Sequence, residues 1–369
     1  PLGPTLLELP AAKSDVAFLE SFASEMFAGR GTYGWGGGWL GDAYHVMLYA
    51  HLQPEIVFDE TIVERGLDGF RVLVMCDCDV ITAKMLARIR AFQAAGGIIV
   101  GDDRLAPAVK PDIVLSPSKR TGRADQDKAA LLALAADLRK KLDARYTRRV
   151  DSSDTEVIPH LRQAGGADYV FVVNDRREFG RYVGQHGLVM ENGIPSSATL
   201  SIAREAGTVY DLVNRRELPV KKAGDRLELD LQVGPCDGGL YLFAASPIDR
   251  VALDVPQSVE RGARAECRIA VVDAQGQPIE AVVPLEVTIC DAETRRAEWS
   301  GYYAAVDGKL TIPLDIAAND PPGAWRIEVR ELASGRTAVG DLRVAGPTPW
   351  PPERRPVPKA AANAVQPQG

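Results

Sequence analysis

The chain has 369 residues, 46% hydrophobic and 25% charged, with 43 basic and 50 acidic side chains for a net charge of −7. That length predicts two or three domains with ample sequence for cores. Mild acidity without a basic block argues against nucleic-acid or anionic-membrane partners. No apolar run approaches the roughly 20 residues of a membrane span.

The opening PLGPTLLELP lacks the basic start, long apolar core and cleavage site of a signal peptide. A start at Pro1 fits removal of a leading Met or a piece cut from a longer polypeptide. Of the five cysteines, Cys76 and Cys78 flank one residue, too close for an easy mutual disulfide. Cys267 and Cys290 fall on expected strands of one β-domain and would bridge only if those strands face each other. Free buried thiols are the simpler expectation.

In chain order, residues 1–12 read as a linker and 15–21 (DVAFLES) as a first strand. The glycine-rich AGRGTYGWGGGW follows, carrying Tyr33, Trp35 and Trp39. Asp42 is expected to cap a helix reaching about Leu52, with Val46, Tyr49 and Ala50 on one face. Residues 55–60 (EIVFDE) read as a second strand.

The most informative stretch is 70–103, FRVLVMCDCDVITAKMLARIRAFQAAGGIIVGDD. Val72 to Met75 is a continuous apolar run, as expected of a parallel strand covered on both faces. Thr82 is placed to cap a helix in which Met85, Leu86, Ile89 and Phe92 recur at helical spacing. Gly96 and Gly97 stop it, and Ile98-Ile99-Val100 starts the next strand. Strand, crossover helix and strand make a right-handed βαβ unit. With a fifth strand at 111–116 and a long helix over 125–146, the pattern predicts a doubly wound, flavodoxin-like α/β domain.

After Asp151 the texture changes to short strands set off by Gly, Asn and Asp turns (DYVFVVND, ATLSIA, TVYDLV, RLELDLQV, GLYLFAA). These predict a small antiparallel sandwich. A second all-β unit over 249–344 alternates with period two and reads as an immunoglobulin-like sandwich. From Gly346 the Pro- and Ala-rich tail reads as disordered.

Ligands of open α/β sheets bind beyond the carboxyl ends of the strands. Those ends collect Glu20-Ser21, Asp59-Glu60, Cys76-Asp77-Cys78-Asp79 and Asp102-Asp103. The resulting acidic rim, beside Trp35 and Trp39, suits a polyhydroxylated ligand such as a sugar: carboxylates accept from hydroxyls, and indoles stack on pyranose rings. The preference of Asp and Ser for strand ends and turns explains the same carboxylates more simply. A Cys76 or Cys78 nucleophile would need a nearby His and oxyanion donors. His45, His51, His160 and His186 fall in no such motif, and Asp77 and Asp79 would raise a thiol pKa. CDC spacing and the six-residue step from His45 to His51 do not suit zinc. No metal and no cofactor is expected, and the glycine loop lacks the Lys and spacing of a phosphate loop.

The order of parts resembles the β-galactosidase trimerisation domain of glycoside hydrolase family 42, an amidotransferase-like α/β unit without the nucleophile. The resemblance is carried by VAFLES, DAYHVMLYAHL, PEIVFDE and above all the 70–103 stretch. ADYVFVVNDRRE and TVYDLVNRRELPVKKAGDRLELDLQVGPCDGGLYLF are similar to the small β-domain that ends many glycoside hydrolases, with Asn174 and Gly238-Gly239 at its landmarks. It spans roughly residues 13–245.

The resemblance implies an amidotransferase-like α/β domain (13–148) and a small β-domain (149–247) of a multidomain chain; the linker (1–12), the immunoglobulin-like sandwich (248–345) and the tail (346–369) are read from the residues, and the long glycine loop and the added sandwich depart from the family's pattern. The resemblance also implies a non-catalytic accessory or oligomerisation region of a bacterial carbohydrate-active protein, secreted or periplasmic, whose catalytic Glu residues lie on an upstream barrel. Homo-oligomers through the α/β domain and a carbohydrate are the implied partners. The alternatives are an amidotransferase-like hydrolase using Cys76 or Cys78 and a structural stalk.

Overall fold

A computed structural model describes residues 1–11, 13–27, 38–183 and 188–346. Tyr33, Trp35, His186 and the tail beyond Gly346 lie outside the described residues. Six helices and the first five strands come early: α1 (Gly3–Glu8), β1 (Val16–Glu20), α2 (Phe22–Phe27), α3 (Trp39–Tyr49), β2 (Glu55–Phe58), α4 (Asp59–Arg65), β3 (Val72–Met75), α5 (Ala83–Ala94), β4 (Ile98–Gly101), β5 (Ile113–Val114) and α6 (Ala124–Leu142).

The five strands form one parallel sheet in the order β2-β1-β3-β4-β5. Because strand side chains alternate, neighbouring residues enter different cores. Val16, Phe18, Val72, Val74 and Val100 pack with α3 and α6. Ala17, Leu19, Leu73, Met75 and Ile99 pack with α4 and α5. Helices cover both faces, which is why β3 and β4 are unbroken apolar runs. Thr82 caps α5 by accepting from the Met85 N–H at 3.3 Å. Gly96 beyond its end adopts φ 96°, and a Cβ on Gly97 would run into the Phe92 ring.

Several expectations are corrected. Asp42 lies inside the first turn of α3, and Arg120 grips both its carboxylate oxygens at 2.9 and 2.6 Å. Asp59 and Glu60 do not extend a strand but open α4, where carboxylates favour the positive end of the helix. The 1–12 segment contains α1, and Leu9, with Leu2 and Leu6 beside it, packs into the core of the carboxyl-terminal sandwich. Helices of six or seven residues show too few turns for a readable period, so α1, α2 and α4 left no clear pattern.

The next eleven strands are β6 (Val150–Ser152), β7 (Val157–Ala164), β8 (Ala167–Asn174), β9 (Arg177–Val183), β10 (Leu188–Gly193), β11 (Ser196–Ala203), β12 (Thr208–Asp211), β13 (Arg216–Leu218), β14 (Lys221–Ala223), β15 (Arg226–Val233) and β16 (Gly238–Ala244). Sheets β14-β15-β11-β6 and β13-β12-β16-β8-β7 enclose Val157, Val170, Val172, Leu200, Ile202, Leu229 and Phe243. β9 and β10 form a separate hairpin. Asn174 ends β8 by donating to the Ile194 and Gly234 carbonyls at 2.8 and 2.7 Å, while Gly238 and Gly239 pair with Val173 and Val172.

The last eight are β17 (Arg250–Asp254), β18 (Ser258–Glu260), β19 (Arg264–Val272), β20 (Val283–Cys290), β21 (Gly301–Ala305), β22 (Lys309–Asp315), β23 (Gly323–Glu331) and β24 (Thr337–Ala345). They make sheets β17-β19-β22 and β18-β24-β23-β20-β21 around Ile269, Val287, Ile289, Trp325, Ile327 and Leu342. Cys267 and Cys290 stand on different sheets, and both thiols are free. The core continues into the preceding sandwich: the Tyr169 hydroxyl donates to the Val282 carbonyl at 2.8 Å and accepts the Val282 N–H at 2.6 Å.

Between α6 and β6 the parallel-sheet unit is clamped to the first sandwich. His51, at φ 54° just past α3, places Nδ1 2.6 Å from Asp151 on β6. Since a carboxylate only accepts, that nitrogen carries the hydrogen. Arg139 on α6 donates to both Asp151 oxygens at 2.9 and 2.7 Å. Burial alone would raise the Asp151 pKa, but the hydrogen bonds and charge of His51 and Arg139 hold it well below the usual carboxylate range. A depressed folded value contributes stability above the unfolded pKa, and that stability is lost as pH falls through the folded one. Asp151→Asn is expected to cost about 3 kcal/mol at neutral pH. Urea denaturation across a pH series should show the gap to the parent narrowing below about pH 4.

Candidate functional site

The carboxyl ends of β1 to β4 do bring acidic side chains to one edge, but they turn most of them inward. Asp102, following β4, is 4% exposed. One of its oxygens accepts the Trp39 indole N–H at 2.7 Å and the Asp77 N–H at 2.8 Å. The other accepts the Arg104 N–H at 3.0 Å. Burial outweighs these donors and leaves the Asp102 pKa raised. Asp77, held in the left-handed region at φ 54°, pairs with the Arg104 guanidinium at 2.9 Å.

Asp59 is also nearly buried and accepts from the Ser21 hydroxyl at 3.3 Å and the Ala23 N–H at 2.9 Å. Those bonds tie the start of α2 to the start of α4. Ser24 continues the stitch, donating to and accepting from Val80 at 3.1 Å. Asp79 is half-buried in the turn after β3. Glu60 and Asp103 are the exposed carboxylates of the rim.

The expectation that Trp39 offers an open face to a sugar is therefore corrected. It opens α3, is 8% exposed and packs among Val16, Phe18 and Val74. Its single N–H meets a buried carboxylate that needs donors, so the indole serves the interior. Trp35 lies outside the described residues. Arg104 and the Trp39–Asp102 bond carried no signal in the sequence, since neither spacing nor residue type announces a partner 63 positions away.

The thiols are equally internal. Cys76 and Cys78 are 1% and 0% exposed and face opposite cores. Burial pushes the Cys76 thiol far up, and the charges of Asp102 and Asp77 add to that. Cys78 donates to the Cys76 carbonyl at 3.2 Å. A thiol that cannot ionise is no nucleophile. His45 Nδ1 meets the Gly41 carbonyl at 2.8 Å, His51 serves Asp151, and His160 lies on β7 against Phe171. Among the described residues no group of three or more His, Cys, Asp or Glu side chains is placed to hold a metal. What the rim does is join α2, α3, α4 and the turns after β3 and β4 into one rigid edge.

No known family matches the chain, and no curated protein matches it. Among solved structures, it is similar to an α-L-fucosidase isoenzyme 2 from Paenibacillus thiaminolyticus, at 13% identity and a TM-score of 0.43 over 63% of this chain and 49% of the fucosidase. It is also similar to β-galactosidases from Bacillus circulans sp. alkalophilus and Rahnella sp. R3. The identities are 12% and 9%, with TM-scores of 0.40 and 0.38. These cover 66% and 63% of this chain against 43% and 41% of the galactosidases. The neighbours are glycoside hydrolases, matched at low identity, and the chain spans less than half the length of each.

Two outcomes test this site. Trp39→Phe keeps the ring and removes the donor to Asp102, and should cost about 1–3 kcal/mol in urea denaturation. Iodoacetamide at neutral pH should leave Cys76 and Cys78 of the native chain unmodified while alkylating the exposed Cys236, with all five thiols reacting once the chain is unfolded.

Proposed function

We propose that this chain is a non-catalytic accessory region of a β-galactosidase-like, carbohydrate-active protein, and that its parallel-sheet unit associates with further copies of itself. In this reading the α/β domain spans 13–148, a small β-domain 149–247 and an immunoglobulin-like sandwich 248–345. Catalysis belongs to a domain beyond the chain. The strand order 2-1-3-4-5 of the parallel sheet, shared with flavodoxin-like folds, supports the amidotransferase-like assignment of the first unit. The buried, un-ionised Cys76 weighs against the amidotransferase alternative.

The observation that carries the self-association role is an exposed apolar edge. β2 is the outermost strand of the parallel sheet, and Ile56 and Phe58 on it are 40% and 46% exposed. Phe22, Met26 and Phe27 of α2 add exposures of 51%, 50% and 77%. The bonds from Ser21 and Ala23 to Asp59 hold α2 against the end of β2, so the five side chains belong to one edge. An edge strand with its backbone open and five large apolar residues in water is a surface that pairs. Glu60 and Asp103 stay as the sugar-facing candidates of the rim; Trp35, the further candidate, lies outside the described residues.

Light scattering on the eluting protein is expected to show an oligomer at micromolar concentration. The Phe27→Ser/Phe58→Ser double variant should elute as a folded monomer with an unchanged circular-dichroism spectrum. A wild-type monomer at those concentrations sinks the self-association role.

A further inference from the structure

β2 has a neighbour on one side only. β1 pairs with it in parallel register, and among the described residues no strand lies along its other side. Successive residues of a strand turn their N–H and C=O groups to opposite sides of it. The Phe58 N–H goes to the Thr61 hydroxyl, a long bond of 3.4 Å at an exposed position, and not to β1. Phe58, and with it Ile56 two residues earlier, therefore turns its backbone groups away from β1. The side chains of these two residues are also the ones left in water, while Val57 between them is buried. Edge strands are ordinarily blunted by Lys, by a bulge or by Pro. Glu55-Ile56-Val57-Phe58 contains none of these, and Pro54 stands just before it.

The rest of the unit limits what can cover this edge. Head-to-tail association needs a second, complementary patch elsewhere on the same unit. Among the described residues of 13–148, the large apolar side chains in water are Phe22, Met26 and Phe27 of α2, Ile56, Phe58, and Val114 at the far edge of the sheet. One valine is no counterpart to five clustered side chains. An isologous contact needs only one patch, which meets itself across a two-fold axis.

With that axis perpendicular to the sheet, two β2 strands run antiparallel, and the backbone selects their register. Ile56 opposite Ile56 would set Phe58 against Pro54, which has no N–H to give. Phe58 opposite Phe58 would set Ile56 against Glu60, already inside α4. Ile56 opposite Phe58 uses both outward-turned residues of each copy.

We propose that two copies of this chain join edge to edge through β2, antiparallel about a two-fold axis at Val57, so that their parallel sheets become one continuous sheet. This rests on the self-association role above and specifies its symmetry, a dimer in place of the three-fold assembly that a trimerisation domain implies. Each Ile56 exchanges backbone hydrogen bonds with Phe58 of the second copy, and the β-branched and aromatic side chains form a cross-strand pair. Because Asp59 holds α2 to the carboxyl end of β2, antiparallel pairing carries Phe22, Met26 and Phe27 of each copy toward the amino end of the other's strand.

Disulfide trapping in a Cys236→Ser background, which removes the exposed thiol, reads the register. Hydrogen-bonded antiparallel partners lie about 5.5 Å apart between Cα atoms, inside the roughly 4.4–6.8 Å that a disulfide spans. The variants Ile56→Cys and Phe58→Cys are mixed at a concentration where light scattering shows the reduced mixture to be dimeric, then oxidised. The expected product is a covalent dimer of one Ile56→Cys chain and one Phe58→Cys chain, at least about tenfold more abundant than the dimer from either variant oxidised alone. A trimeric parent, no covalent dimer from the mixture, or Ile56→Cys linking to itself as readily overturns the two-fold pairing and leaves self-association standing. A parent or mixture that stays monomeric at micromolar concentration removes the self-association role and this pairing with it.

Discussion

The carboxylate of Asp151 gathers donors from two helical elements at the joint between the helical part of this molecule and its β-sheets, where Tyr49–Asp175, Lys128–Glu156 and Gln53–Leu161 also cross. Asp151 begins the first sandwich, yet its partners, His51 and Arg139, come from α3's exit and from the last turn of α6. A half-buried carboxylate that loses donors on both oxygens is left poorly solvated, so separating the two elements costs free energy. His51 reaches it from the left-handed region, a conformation that costs energy at a non-glycine residue and persists because the clamp holds it. A pocket lined by Lys13, Gln53 and Arg148 lies beside this clamp, and His51 belongs to both.

The same physics governs the acidic edge. Asp102, Asp77 and Asp59 look like a ligand site when only their positions at strand ends are known. Once placed, each accepts bonds from the protein itself, from Trp39, Arg104, Ser21 and the backbone. Their role is to brace the turns after the strands. The exposed surface that stands out is instead apolar, on β2 and α2, and it directs attention from chemistry to assembly. The two sandwiches form a continuous body through Tyr169 and Tyr210, with α1 laid against the second of them, so the start of the chain and its carboxyl-terminal sheets are packed together.

Much of the fold was legible because it is local. The apolar run Val72 to Met75, the Thr82 cap and the Gly96-Gly97 stop each announce their structure within a few residues, and all three stand as read. The alternating strands after Asp151 were equally readable, since a strand with one buried face repeats every second residue. The short helices α1, α2 and α4 were not, because one or two turns carry no measurable period. Trp39 misled for a different reason: beside a run of glycines an indole looks exposed, and only the folded chain shows the buried carboxylate it meets.

By itself, then, the sequence determined the succession of a parallel α/β unit and antiparallel β units and the boundaries of the central βαβ element. Those follow from periodicity and turn residues. Tertiary structure alone decided which carboxylates face inward, that Leu9 belongs to the carboxyl-terminal core, and that His51 and Arg148 line one pocket with Lys13. Each of these depends on contacts between residues tens to hundreds of positions apart, and a pairing over that distance is set by how whole elements pack, which no local pattern encodes.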